Sequence, residues 1–230
     1  MVEAQIEGHS SEISKVEKEQ KEWSRSLSSD DRSEMEEYYK NSLTEHFMKA
    51  FDEQLSEIGD KINSHSYSSI DRAYEKFSKK TKKIDEKYRR FANASLSLYL
   101  SKTFAKELEG YADAVLNAIK KGEKSDVQRG DKDFVRMCEK ISGESSEVSN
   151  AFKKAYEDVL KKKFEEYVKD NMKEYESLCK KGDKEGAEKW LKEYNKQIDK
   201  LLSNASDEVK TAFGIVNQNI AQEAMKQIEE

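Results

Sequence analysis

The chain of 230 residues contains no proline. Proline makes up about 5% of average proteins, so about eleven would be expected in a chain of this length. Because proline breaks helices and fixes turns, its absence favours long helices joined by short turns. Charged residues make up 39% of the chain, and no segment alternates apolar and polar residues as a strand does. We therefore predict an all-α fold, an elongated bundle of long antiparallel helices joined by short turns.

Apolar residues make up only 35% of the chain, against about 45–50% in typical globular domains. Disordered chains share this low value, but their apolar residues lack a pattern, whereas here they recur at helical spacing. The polar segment after Gly122 divides the chain into two predicted helical subdomains, 1–122 and 123–230, unless the two form one continuous bundle. No stretch is apolar enough to span a bilayer or to act as a secretory signal.

The most regular apolar stripe predicts one helix over residues 70–119, and a break near residues 93–95 is the alternative because the strict repeat slips there. The run Ser28-Ser29-Asp30-Asp31 is expected to supply the N-cap of one helix, and Ser68 with Asp71 resembles a capping box at the start of another. Gly122 and Gly182 are expected to follow the ends of two helices. Further stripes predict helices over residues 13–27, 35–62, 134–141, 148–178, 190–201 and 209–220.

No catalytic or cofactor motif is found in the sequence. Its nine glycines are scattered, and none forms a phosphate-binding loop or a nucleophile elbow. The three histidines, His9, His46 and His65, are far apart and lack the spacing of metal ligands. We therefore expect no enzyme activity, no cofactor, no metal and no small-molecule substrate.

The two cysteines, Cys138 and Cys179, allow two interpretations. They can be two buried thiols of a cytosolic protein, or one disulfide of a secreted domain with a sparse core. A disulfide here would close a loop of about 40 residues and stabilise the fold by about 2–4 kcal/mol. We expect the disulfide.

Two short motifs matter only outside the cell. Arg129-Gly130-Asp131 spells the integrin-recognition tripeptide in a predicted loop, although so charged a chain is expected to contain such matches by chance. Asn93-Ala94-Ser95 and Asn204-Ala205-Ser206 match the glycosylation sequon, and the first lies inside a predicted helix.

The charge distribution is the most specific functional signal. Residues 1–60 carry 7 basic and 16 acidic side chains, whereas residues 72–90 carry 9 basic and 3 acidic ones. The basic face can either pack near the acidic N-terminal helices or form a cationic surface for anionic lipids or sialylated glycans. The isoelectric point near 5.6 and the lack of a known binding motif argue against nucleic acid. The predicted surface-binding residues are Arg72, Lys76, Lys79, Lys82, Lys83, Arg89 and Arg90.

The proline-free helices rich in Lys, Glu and Ser, such as residues 155–167, resemble those of the merozoite surface antigens of Babesia parasites. So does the lone cysteine pair in an otherwise disulfide-poor helical chain. The resemblance covers most of the chain in style and implies a secreted, GPI-anchored helical protein that contacts the red-cell surface. It assigns no binding residues. The signal peptide and anchor signal that the family implies are both expected to be missing from this sequence.

Composition, charge and resemblance together predict a non-enzymatic surface antigen that adheres to the host erythrocyte membrane from outside the parasite. The alternative is an intracellular helical scaffold, or a secreted effector, that binds partner helices. The state of the cysteines separates the two, because a disulfide favours the exterior and free thiols favour the cytosol.

Overall fold

The computed structural model describes residues 28–229, together with Lys18, Lys21 and Glu22. The structure is 88% helical and has no strand among the described residues, which confirms the predicted all-α bundle. The predicted helix over residues 13–27 lies almost entirely outside the described residues. The α-helices of the described chain are α1 (Ser29–Ala50), α2 (Asp52–Asn63), α3 (Ile70–Thr81), α4 (Glu86–Thr103), α5 (Ala105–Lys121), α6 (Lys124–Gly130), α7 (Lys132–Ser142), α8 (Ser146–Asn171), α9 (Lys173–Lys180), α10 (Lys184–Leu202) and α11 (Asp207–Glu229).

Three of the predicted caps are in place, whereas at α3 the residue before the helix is Ser69, which makes no side-chain cap hydrogen bond. The side chain of Ser28 accepts a hydrogen bond of 3.2 Å from the backbone N–H of Asp31 and so caps α1. Helix α5 ends at Gly122, which has a φ of 71°, and α9 is followed by Gly182, which has a φ of 72°. In both turns the glycine N–H bonds the carbonyl three residues before it, and the next N–H bonds the carbonyl five residues before it. This is the Schellman motif, which glycine favours because its left-handed backbone costs no strain.

The predicted single helix over residues 70–119 is wrong in its continuity. Three helices, α3 to α5, cover this span, and they are interrupted at residues 82–85 and at Phe104. Residues 93–95, where the alternative break was expected, lie inside α4. The apolar stripe continues across the first interruption because Ile84 is buried between the helices.

Polar groups build the corner between α3 and α4. The Asp85 carboxylate accepts a hydrogen bond of 2.9 Å from the N–H of Lys87, as an N-cap residue does at the start of a helix. The Arg89 guanidinium donates to the carbonyls of Lys82 and Ile84 at 3.3 and 3.1 Å. The corner therefore satisfies backbone groups that a continuous helix would pair internally.

Other interruptions also fall inside predicted helices. Phe51 separates α1 from α2, and Met172 separates α8 from α9. Each is a single buried residue that belongs to neither of the helices beside it. Conversely, the segment after Gly122 predicted as a connector contains the short helix α6.

The described chain forms two compact units. Unit 1 comprises residues 28–103 and 140–151, and unit 2 comprises residues 104–139 and 152–229. These limits fall at other positions than the predicted subdomain boundary after Gly122. Among residues 28–229, every helix is either too short or too polar to cross a membrane.

Each unit has an aromatic core. In unit 1, the ring of Phe51 stacks on Phe47 at 6.0 Å and meets Phe77 edge-on at 5.6 Å, measured between centroids. In unit 2, Phe134 lies 5.6 Å from Phe152 and 4.1 Å from Tyr156. Large aromatic side chains thus compensate for the small number of apolar residues.

Candidate functional site

The predicted basic surface lies in unit 1, on α3, the α3–α4 corner and the first turns of α4. Helix α3 buries Ile70, Ala73, Phe77 and Thr81 on one side. All predicted surface-binding residues are exposed except Arg89, which is half-buried. Apart from Arg89, the predicted side chains are therefore exposed along residues 72–90, which span most of α3, the interruption at residues 82–85 and the start of α4.

Three of these cations already have partners. Lys76 Nζ lies 2.7 Å from Glu57 Oε1 of α2, and Lys79 Nζ lies 3.2 Å from Glu75 Oε2 of its own helix. Arg89 holds the corner through its two backbone carbonyls. The interpretation in which the basic face balances the acidic N-terminal helices thus applies to Lys76.

The remaining cations are unpaired. Within the part of the chain that the structure describes, no ion pair joins them to a carboxylate, and all of them are exposed. Arg90 additionally lies over the ring of Phe91, with its guanidinium carbon 4.6 Å from the centroid. We call these residues the unpaired cations: Arg72, Lys80, Lys82, Lys83 and Arg90. Lys80 was not among the predicted surface-binding residues.

The predicted disulfide is corrected by the structure, in which Cys138 and Cys179 are both buried and no disulfide joins them. Burial raises the pKa of the Cys138 thiol, and Glu208 is close enough to Cys138 for its carboxylate to raise that pKa further. Cys179 Sγ, by contrast, lies 3.9 Å from Met225 Sδ. Glu208 and Met225 are 17 residues apart on α11, which corresponds to about 25 Å along the helix axis. A disulfide needs Cα atoms within about 7 Å of each other, so these two thiols do not meet.

The integrin-like tripeptide is not an exposed loop. Arg129 and Gly130 belong to α6, and Asp131 is only 2% exposed. The Ser206 hydroxyl donates a hydrogen bond to the Asp131 carboxylate. Because the aspartate is held inside unit 2, it is not displayed to a receptor. In the described chain, no group of three or more His, Cys, Asp or Glu residues could hold a metal ion.

The two sequons lie in different settings. Asn93 is exposed within α4, and Asn204 is exposed in the turn between α10 and α11. Only the second asparagine lies outside a helix.

A concave site that the sequence did not indicate lies within unit 2. Helices α10 and α11 form its walls over residues 191–203 and 210–226, and Tyr175 of α9 forms its floor. We call this cavity of about 960 Å³ the trough. Its signal in the sequence was the stripe over residues 190–201, which includes Ile198. A stripe does not reveal that this side chain remains only half-buried in the folded chain.

The chain was compared with protein families, with curated proteins and with solved structures, and it matches none of them. What the protein does must therefore be inferred from its own residues and geometry.

Proposed function

We propose that this chain is a non-enzymatic surface protein that adheres to the host erythrocyte, as the resemblance to Babesia merozoite surface antigens implies. The adhesive element is the α3–α4 corner, and its partner is the anionic outer face of the red-cell membrane, lipid or glycan. One observation carries the proposal: the unpaired cations remain exposed within residues 72–90 although the chain has a net charge of −5.

The energetic argument depends on the number of unpaired cations. A basic residue close to an anionic lipid surface contributes about 1 kcal/mol. Five unpaired cations therefore supply on the order of 5 kcal/mol when all of them reach the surface. Lys76 contributes less, because binding must compete with its bond to Glu57.

The test is retention of the soluble protein on washed erythrocytes. A variant with Arg72→Glu, Lys82→Glu, Lys83→Glu and Arg90→Glu removes four unpaired cations and leaves the corner contacts of Arg89 in place. The matched control carries the same change at four exposed lysines of unit 2 that form no ion pair within the described chain: Lys106→Glu, Lys120→Glu, Lys162→Glu and Lys200→Glu.

We expect the first variant to lose at least nine-tenths of the retained protein, with unchanged far-UV circular dichroism. The control, which has the same net charge, should be retained more strongly than the first variant. Equal retention of wild type and the first variant would show that the corner is not the adhesive element.

The free thiols favour the second candidate function, an intracellular helical scaffold that binds partner helices, because cysteines inside the cell stay reduced. This candidate predicts no retention on erythrocytes for the wild-type chain. The same assay therefore separates the two functions.

A further inference from the structure

The trough is a built cavity with two tied walls. Asn217 Nδ2 of α11 donates a hydrogen bond of 2.8 Å to Asn195 Oδ1 of α10. Asn195 lies seven residues before Leu202, and Asn217 lies ten residues after Asp207, so the two helices run antiparallel from the turn that joins them. The bond fixes the distance between the walls at the middle of the trough.

The dimensions of the trough suit a long, thin ligand. Its lining on α11 extends from Lys210 to Lys226, which corresponds to about 24 Å along the helix. A partner helix about 11 Å in diameter and of that length would occupy on the order of 2,000 Å³, more than twice the volume of the trough. One acyl chain spans about 15 Å, half of the hydrocarbon core of a bilayer, and leaves room for a head group. The volume of about 960 Å³ lies within the range of small-molecule sites.

The lining offers apolar surface and is open at Gly214. Its half-buried apolar side chains are Leu191, Ile198 and Met225, whereas Tyr175 and Phe213 are each only 1% exposed. A Cβ added at Gly214 would meet no atom within 4 Å, so the missing side chain leaves the trough accessible along this turn of α11. This surface suits a hydrocarbon chain, which gains free energy with every methylene that it removes from water.

The two ends differ in charge. At one end Lys210 has two carboxylates near it, because Asp207 lies 3.9 Å away and Asp199 lines the same end. At the other end Lys226 is exposed and forms no ion pair with any described residue, although Glu223 lies one turn before it on the same helix. A carboxylate head group can pair with Lys226, whereas at the opposite end it would compete with Asp207 and Asp199 for Lys210.

We propose that the trough binds a long-chain fatty carboxylate, with its head group at Lys226 and its chain extending toward Gly214. This activity is separate from adhesion, since the trough lies in unit 2 and the unpaired cations lie in unit 1.

The test is a fluorescence titration of the full chain with 11-(dansylamino)undecanoate below its micellar concentration. We expect saturable binding of one probe per chain in the micromolar range. Gly214→Leu places a side chain in the trough and should weaken binding at least tenfold. Gly110→Leu on α5 is the matched control, since a Cβ there also meets no atom within 4 Å but lies outside the trough. Lys226→Ala should weaken binding severalfold, and Lys210→Ala should have little effect.

Two outcomes would overturn the site itself. One is the absence of saturable binding to wild type, and the other is equal binding by Gly214→Leu and Gly110→Leu. If wild type is a dimer in sedimentation velocity and Gly214→Leu is the only variant that dissociates it, the trough binds a second copy of the chain instead. Because erythrocyte retention does not involve the trough, Gly214→Leu should be retained like wild type, so failure here is distinguishable from failure of the adhesive function.

Discussion

Asp131 shows how a single residue of unit 2 links burial to stability. Its carboxylate is 2% exposed and accepts the Ser206 hydroxyl. Burial raises the pKa of Asp131, and the nearby Glu208 adds to the increase, while the bond from Ser206 opposes it. Asp131 is also the residue directly before α7, which begins at Lys132, so its side chain stands at the N-cap position of that helix.

The raised pKa of Asp131 determines how the free energy of unfolding changes with pH. Between the pKa of Asp131 in the unfolded chain and its higher value in the fold, the native state binds more protons. The free energy of unfolding therefore falls as pH increases through this window and stays lower at neutral pH. Charge on Asp131 is a cost to the folded state.

Asp131→Asn removes that cost and keeps a good N-cap and an acceptor for Ser206. At pH 7 we expect the variant to be at least as stable as wild type, by up to about 1 kcal/mol. This advantage should shrink as pH approaches 4. Urea unfolding at the two pH values measures it, and a variant that is less stable than wild type at pH 7 would contradict the account.

The cysteines give a second prediction for single residues. Burial raises the pKa of Cys138 to about 12, with a further contribution from Glu208, so its reactive thiolate form is scarce. We expect two thiols per chain to react with Ellman's reagent after denaturation without reductant, and both to react slowly in the native protein. If the denatured protein has no titratable thiol, the two cysteines form the disulfide after all.

Replacing glycine by alanine is expected to have opposite effects on stability at different positions of the helices. Gly122 and Gly182 have φ angles of 71° and 72°, where a side chain is strained. Gly110 lies inside α5, where a Cβ meets no neighbour. In a helix interior alanine is favoured over glycine by about 0.8–1 kcal/mol.

We therefore expect Gly122→Ala and Gly182→Ala to lower the free energy of unfolding by about 1 kcal/mol each. Gly110→Ala should increase it by about 0.5–1 kcal/mol. Urea denaturation of the three variants measures both signs. A stabilising substitution at Gly122 or Gly182 would mean that these Schellman turns are not formed.

Helix type and caps were predictable from the sequence, because helical spacing, Ser28 and Gly122 are local signals. The interruptions were not. Ile84 and Phe104 continue the apolar stripe, so the periodicity is the same in a straight helix and in a bent one. Asp85 resembles any exposed helical aspartate until its bond to the N–H of Lys87 is seen. The elongated form of the bundle stays a prediction.

At the scale of the whole molecule, charge is distributed unevenly. Residues 72–90 have a net charge of +6 within a chain of net charge −5. The sequence could indicate this segment but could not tell which cations remain available, because Glu57 reaches Lys76 from another helix. Nor could it indicate the trough, which depends on how α10 and α11 pack.

The salt dependence of erythrocyte retention tests the adhesive role of the unpaired cations most directly. Increasing the salt concentration from 0.1 to 0.5 M shortens the screening length from about 10 to about 4 Å. If exposed cations carry the binding, retention of the wild-type chain should fall at least tenfold over this range, and it should recover when salt is lowered. Retention that is unchanged at 0.5 M salt would contradict an electrostatic surface at the α3–α4 corner.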